Sequence, residues 1–249
     1  MIANFFWDVQ ELTKLERLCI LSFAKFFKTV RIFTYNPILF NKYRSVVDVI
    51  NANEILDESH KFYYNGVGDC PKKSVVGFSD IFRYQLLYNM GGWYFDMDCI
   101  CLKDFAPLDA RGDIITRSHL KHLCVSNMCK FPKGHPILRE LYETTVNQVH
   151  ASNSTWNLPL EIFQSILTNH SLLNTVASTS ELGNDDYKRD IKPLLYDKVY
   201  KLDLSERYAV HLCASAVKTG NWSSSHFYDV ETPLPGTLLS YLYNLYSIT

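Results

Sequence analysis

FSDIFRYQLLYNMGGWYFDMDCICLKD (Phe78–Asp104) reads as a helix, a glycine break and a strand that ends in two carboxylates one residue apart. Ser79 suits the N-cap of the helix and Asp80 its first turn. Ile81, Phe82, Leu86 and Leu87 recur near helical spacing, with Tyr84 and Tyr88 between them. Gly91 and Gly92 stop the helix, because glycine takes left-handed backbone angles at little cost. Trp93, Tyr94 and Phe95 then favour a strand. Alternation along it places Asp96 and Asp98 on one side and Met97 on the other. Two carboxylates so placed suit a hard divalent cation that keeps open positions for substrate phosphates. Taken alone, such a triplet is a weak signal and more often marks ordinary turn acids. Aspartate is a poor strand former, however, and after an aromatic run its burial is costly without a partner. Asp80 and Arg83, three apart, share a helix face. They form either a solvated ion pair or a polar pair aimed at the ligand of the neighbouring strand end.

The rest of the chain supplies an α/β frame. Ala3–Trp7 is expected as a strand. Thr13 and Glu16 make a capping box for a helix in which Leu12, Leu15, Cys19, Phe23 and Phe26 keep helical spacing. Val30–Tyr35 is a second strand, so the three elements form a right-handed crossover of a parallel sheet. A short strand or turn at Val46–Ile50 and a helix over Asn53–Lys61 follow. The loop Tyr63–Lys73 precedes the central helix and is expected to border the donor site. Strands are expected at Asp113–Thr116, Cys124–Met128, Val199–Leu202 and Tyr208–Leu212. Helices are expected at Ile137–His150, from Pro159 to about Leu167, and at Gly236–Tyr246. His211, on an apolar strand, serves either as a structural histidine or as a contact to metal or diphosphate. Trp7 is either a core residue or a ligand platform.

Composition bounds the partners. A net charge of −1 with no basic block leaves no field that would gather nucleic acid or an anionic membrane. The seven cysteines are odd in number and irregularly spaced, which points to reduced, buried thiols rather than a disulfide framework or a zinc site. No basic segment followed by an apolar core opens the chain. Its longest apolar run, Leu18–Phe27, falls short of the roughly 20 residues needed to span a bilayer. A cytoplasmic protein with no membrane segment in this chain is therefore expected.

The pattern Ser79-Asp80-x-x-Arg83, then Gly91-Gly92-x-Tyr94-x-Asp96-x-Asp98, resembles the DXD region of retaining sugar-nucleotide glycosyltransferases with a GT-A fold. Related branches are the OCH1-like and α1,4-galactosyltransferase-like group, the capsular polysaccharide synthesis proteins and the clostridial glucosylating toxins. FFWDVQELTKLE followed by VRIFTYN is similar to the opening of that family. The resemblance implies one domain over residues 1–249, with a Rossmann-like, mixed but mostly parallel central sheet flanked by helices. It implies that Asp80 and Arg83 hold the donor sugar and that Tyr94 lies beside the nucleotide. Asp96 would touch ribose, sugar or metal, and Asp98 would bind the metal directly. Phe6 and Trp7 would lie at the base and ribose. His211 would join the metal or diphosphate, with Ser215 and Trp222 as further correspondences, and Glu161 would stand on the acceptor side. The implied cofactors are Mn²⁺ or Mg²⁺ and a nucleotide-sugar donor, a UDP-sugar being the commoner carrier. The implied acceptor is a hydroxyl on a glycan or a protein, as in polysaccharide biosynthesis. Two other classes compete: a metal-dependent phosphoester hydrolase, and a binding module that holds a nucleotide sugar without turnover.

Overall fold

The computed structural model describes residues 1–8, 11–117, 124–177, 181–182, 191–213 and 228–248. The chain opens with β1 (Ile2–Phe6), α1 (Lys14–Phe26), β2 (Thr29–Thr34) and β3 (Asp48–Asn51). The central helix α2 (Val76–Met90) leads into β4 (Gly92–Phe95), β5 (Cys99–Cys101) and the short α3 (Ala106–Asp109). Then come β6 (Ile114–Arg117), β7 (Cys124–Phe131), α4 (Pro136–Gln148), α5 (Leu158–Asn169) and β8 (Val176–Ala177). The described chain closes with α6 (Lys192–Tyr196), β9 (Ala209–His211) and α7 (Leu238–Leu245).

Seven strands form the main sheet in the order β3-β2-β1-β4-β7-β6-β8. Every pairing is parallel except those of β7, which runs against both β4 and β6. This is the mixed, mostly parallel sheet expected. Alternation along the strands sends Phe6 and Tyr94 to one face and Phe5, Trp93 and Phe95 to the other, and each set joins its own buried cluster. On the first face Phe6 stacks on Phe82 of α2 with ring centroids 4.2 Å apart. On the second, Phe23 of α1 lies 4.4 Å from Phe95. The expected capping box starts α1, with the Thr13 amide donating to Glu16 Oε2 at 2.8 Å. All seven cysteines are free and buried, as their spacing implies. Among the described residues no helix is long and apolar enough to cross a membrane.

Four local expectations are corrected. α2 begins one turn before Ser79. The Ser74 hydroxyl accepts from the Val76 amide at 3.3 Å, while Ser79 Oγ donates back to the Val76 carbonyl at 2.7 Å, so Ser79 and Asp80 lie in the second turn. β4 ends at Phe95, and Asp96–Cys99 is a tight turn closed by Cys99 N donating to Asp96 O at 3.0 Å. A turn, not strand alternation, therefore sets how Asp96 and Asp98 face. The segment expected as a helix over 53–61 holds two separate 3-10 turns, Ala52–Glu54 and Glu58–His60. Val199–Lys201 is a 3-10 turn, not a strand, its apolar residues serving a helical loop.

The order of the strands places the site. From β1 the chain moves outward through β2 and β3, then returns to lay β4 on the other flank of β1. Strand order thus reverses between β1 and β4, and the crevice beyond their carboxyl ends is the favoured ligand position of an open α/β sheet. Trp7-Asp8 and Asp96-Met97-Asp98 emerge there.

The handover from α2 to β4 depends on Gly91. Its φ is +66°, and a Cβ there would lie 2.4 Å from the Lys133 backbone nitrogen. Gly91→Ala is expected to cost about 2 kcal/mol or more and to lower Tm by roughly 2–4 °C per kcal/mol. Thermal unfolding with an unchanged midpoint would contradict this account of the joint.

Candidate active site

α2 and β4 place three charged side chains together. Arg83 is 4% exposed and Asp80 6%, so both are effectively inside the protein. Arg83 Nη1 donates to Asp80 Oδ1 at 2.7 Å and also to the Ser126 hydroxyl. Arg83 Nη2 donates to Asp96 Oδ1 at 2.6 Å. The Tyr94 ring lies against the guanidinium, 4.6 Å from Cζ to the ring centroid. A buried charge is tolerable only when paired and hydrogen-bonded, and one guanidinium here serves two carboxylates. Burial still raises Asp80 to about 6, against the pull of Arg83. Burial likewise raises Asp96, with the Asp98 carboxylate adding to the shift and Arg83 opposing it.

The second half of the site comes from β9. In the small sheet β5-β9, Cys99 pairs with His211, which brings the imidazole onto the acidic turn. His211 Nε2 lies 3.1 Å from Asp98 Oδ1. On the other side of the ring, Nδ1 faces Asn127 Nδ2 at 2.7 Å and Cys213 Sγ at 3.3 Å. Burial works to lower the His211 pKa, but the Asp98 carboxylate and Cys213 lift it well above the ordinary histidine value.

Asp98, Cys99 and His211 offer ligand atoms that all lie within 4.8 Å of one another. Burial, reinforced by Asp98, raises the Cys99 thiol well above its usual range, and its Sγ already donates to the Asn127 carbonyl at 3.9 Å. What remains is carboxylate oxygen and imidazole nitrogen, a set suited to Mn²⁺ or Mg²⁺ rather than to a thiolate-bound metal. Two adjacent ligands each about 2.1 Å from an octahedral ion stand about 3 Å apart. The Asp98–His211 separation of 3.1 Å equals that edge and is also that of a direct ion pair. The residues fit a divalent cation.

The structure therefore brings Asp80, Arg83, Asp96, Asp98 and His211 into one cluster. It places other candidates differently. Phe6 is buried against Phe82, and Tyr94 is buried beneath Arg83, so neither shows an open ring face. Both sit on the helix side of the sheet, where alternation turns them inward. Arg83 gives Nη1 to Asp80 and Ser126 and Nη2 to Asp96, while its Nε has no hydrogen-bond partner among the described residues. Trp7 is half-buried at the end of β1. Glu161 is exposed on α5. Ser215 and Trp222 lie outside the described residues. Sequence reasoning missed Ser126 and Asn127, both buried on β7. Two polar residues inside an otherwise apolar strand were the available signal, since buried polar groups need partners. It also missed Asp8, which accepts from the Tyr35 amide at 2.9 Å and pairs with Lys61 of the loop before α2.

Part of the chain is similar to known proteins. Residues 16–119 match the family model described as "Glycosyltransferase sugar-binding region containing DXD motif". No curated protein sequence matches the chain. Among solved structures, the PaToxG glycosyltransferase is 16% identical, with 68% of each chain covered and a TM-score of 0.51. The apo form of the glycosyltransferase GlyE from Streptococcus pneumoniae TIGR4 is 12% identical over 100% of this chain and 60% of that one, with a TM-score of 0.53. The chain thus spans about three-fifths of the GlyE structure. At these identities the likeness is one of fold. The fold is of the type seen in these glycosyltransferase structures, and residues 16–119 are similar to a DXD-containing sugar-binding region.

Two outcomes follow from the buried charges. Arg83→Ala strands Asp80 and Asp96 and is expected to cost about 3–5 kcal/mol in urea denaturation at neutral pH. Asp80 titrates near 6 when folded and near 3.9 when unfolded, so the folded chain binds the extra proton between those values. Stability of the native chain should therefore fall as pH rises from about 4 to 6, by up to about 3 kcal/mol. Asp80→Asn should flatten that slope, and an equal slope in both proteins would refute the assignment.

Proposed function

We propose that the chain is a metal-dependent, retaining glycosyltransferase. It moves a sugar from a nucleoside diphosphate donor, a UDP-sugar, to a hydroxyl of a glycan or protein, within a single domain over residues 1–249. The observation that carries this reading is the pairing at the sheet's switch point. Asp96 is fixed by a buried arginine, and next to it stands an Asp98–His211 pair at ligand spacing.

Asp98 and His211 would hold Mn²⁺ or Mg²⁺, with Asp96 beside them. When bound, the cation supplies Lewis-acid stabilisation of the diphosphate that leaves. Asp96, clamped by Arg83 with its side chain 30% exposed, would present a carboxylate oxygen in a fixed orientation to the hydroxyls of the donor, and Asp80, 6% exposed, would hold Arg83 from behind. Such fixing converts binding into positioning of the anomeric carbon. Trp7, at the end of β1, offers an aromatic surface to the base. Asp80 and Asp96 are both tied to Arg83, which disfavours either as a covalent nucleophile. A front-face route suits this arrangement. The bond from the anomeric carbon to phosphate breaks, the bond to the acceptor oxygen forms on the same face, and the departing phosphate oxygen takes the acceptor's proton.

Asp98→Asn is expected to lower kcat/KM for sugar transfer at least 100-fold, about 2.7 kcal/mol, with little change in Tm. In the native chain, Mn²⁺ and the true donor together should raise Tm through ligand linkage. Full turnover by Asp98→Asn would sink the proposal. Release of phosphate from a simple ester without any nucleotide sugar would favour the hydrolase instead. Donor binding with neither hydrolysis nor transfer would leave the binding module.

A further inference from the structure

Asn127 of β7 is 6% exposed and touches both halves of the site. Its backbone carbonyl accepts from the Asp96 amide at 2.8 Å, which pins the first residue of the acidic turn. Its side-chain Oδ1 accepts from the Met128 amide at 2.9 Å, and its Nδ2 faces His211 Nδ1 at 2.7 Å. One residue on the reversed strand thus joins the turn that carries Asp98 to the ring that stands against it.

His211 needs such a partner. It ends a strand of three residues in a two-stranded sheet, the kind of ladder that is only marginally stable by itself. Its ring torsion is broad and roughly two-fold, so the strand does not decide which nitrogen faces Asp98. Metal-binding histidines are oriented by a hydrogen bond at the second ring nitrogen. We propose that Asn127 is the positioning residue that aims His211 Nε2 at the cation shared with Asp98. This rests on the reading of Asp98 and His211 as the cation pair. A carboxamide can hold the ring in either tautomer, through its amide N–H groups or through its oxygen. In the arrangement shown, Nδ2 faces Nδ1. With Nε2 on a cation, Nδ1 carries the proton, so the carboxamide turns over to present Oδ1 to it and gives up the bond from the Met128 amide. Cys213 Sγ, at 3.3 Å from Nδ1, is the other neighbour of that nitrogen.

The test is Mn²⁺ affinity of the full chain, read from the free-Mn²⁺ signal in electron paramagnetic resonance without any substrate. Asn127→Ala should weaken binding 10–100-fold and should add no further loss in a His211→Ala background. Asn127→Asp keeps an acceptor for the Met128 amide and offers oxygen to Nδ1–H, so it should bind at least as tightly as the native chain. Cys213→Ser should bind within about threefold, since it leaves the Asn127 contact in place. Asn127→Ala binding as the native chain does, or losing as much affinity without His211 as with it, would overturn the role. So would a Cys213→Ser loss equal to that of Asn127→Ala, or an Asn127→Asp protein more than tenfold weaker. If the native chain takes up no Mn²⁺, or Asp98→Asn takes it up equally well, the cation pair itself is refuted and this role falls with it.

Discussion

One buried guanidinium sustains the acidic corner. Arg83 reaches Asp80 on its own helix, Asp96 after the next strand and Ser126 on the strand beyond. It does so at a depth where burial pushes Asp80 toward taking a proton, while Asp96 keeps part of its side chain exposed. The helix, the central strand and the reversed strand are thus tied by one side chain, whose flat face rests on Tyr94. An arginine suits this place because its planar fork offers several donors in fixed directions, where a lysine would offer a point charge. Electrostatics and packing are inseparable here. The aromatic floor that buries the cation also lowers the dielectric that makes its pairs strong.

Much of the frame was legible in the sequence because its signals are local. The capping box at Thr13 and Glu16, the period of α1 and the glycine pair at 91–92 each act over a few residues, and each appears where it should. The start of α2 was misread because two serines compete for the role. Only the packed chain shows that Ser74, not Ser79, receives the first-turn amide. The facing of Asp96 and Asp98 was misread for a similar reason. Strand periodicity ends at Phe95, and a hydrogen bond from Cys99 to Asp96 takes over.

The site was legible in part. Asp80, Arg83, Asp96, Asp98 and His211 were all singled out, and they meet. The inward turn of Phe6 and Tyr94 escaped notice because strand alternation gives two faces without saying which one is roofed by a helix. Ser126 and Asn127 escaped because their partners lie far along the chain, on α2 and β9. Long-range hydrogen bonds leave only a faint mark, a polar pair in an apolar run.

The pairing of β5 with β9 has a consequence for biogenesis. His211 is made long after Asp98, and the ribosome adds only about 5–20 residues each second. During that interval the N-terminal sheet can condense while its acidic turn still lacks the imidazole. A half-made chain therefore carries the carboxylates without their partner, and the corner is completed only when the late strand zips onto the early one.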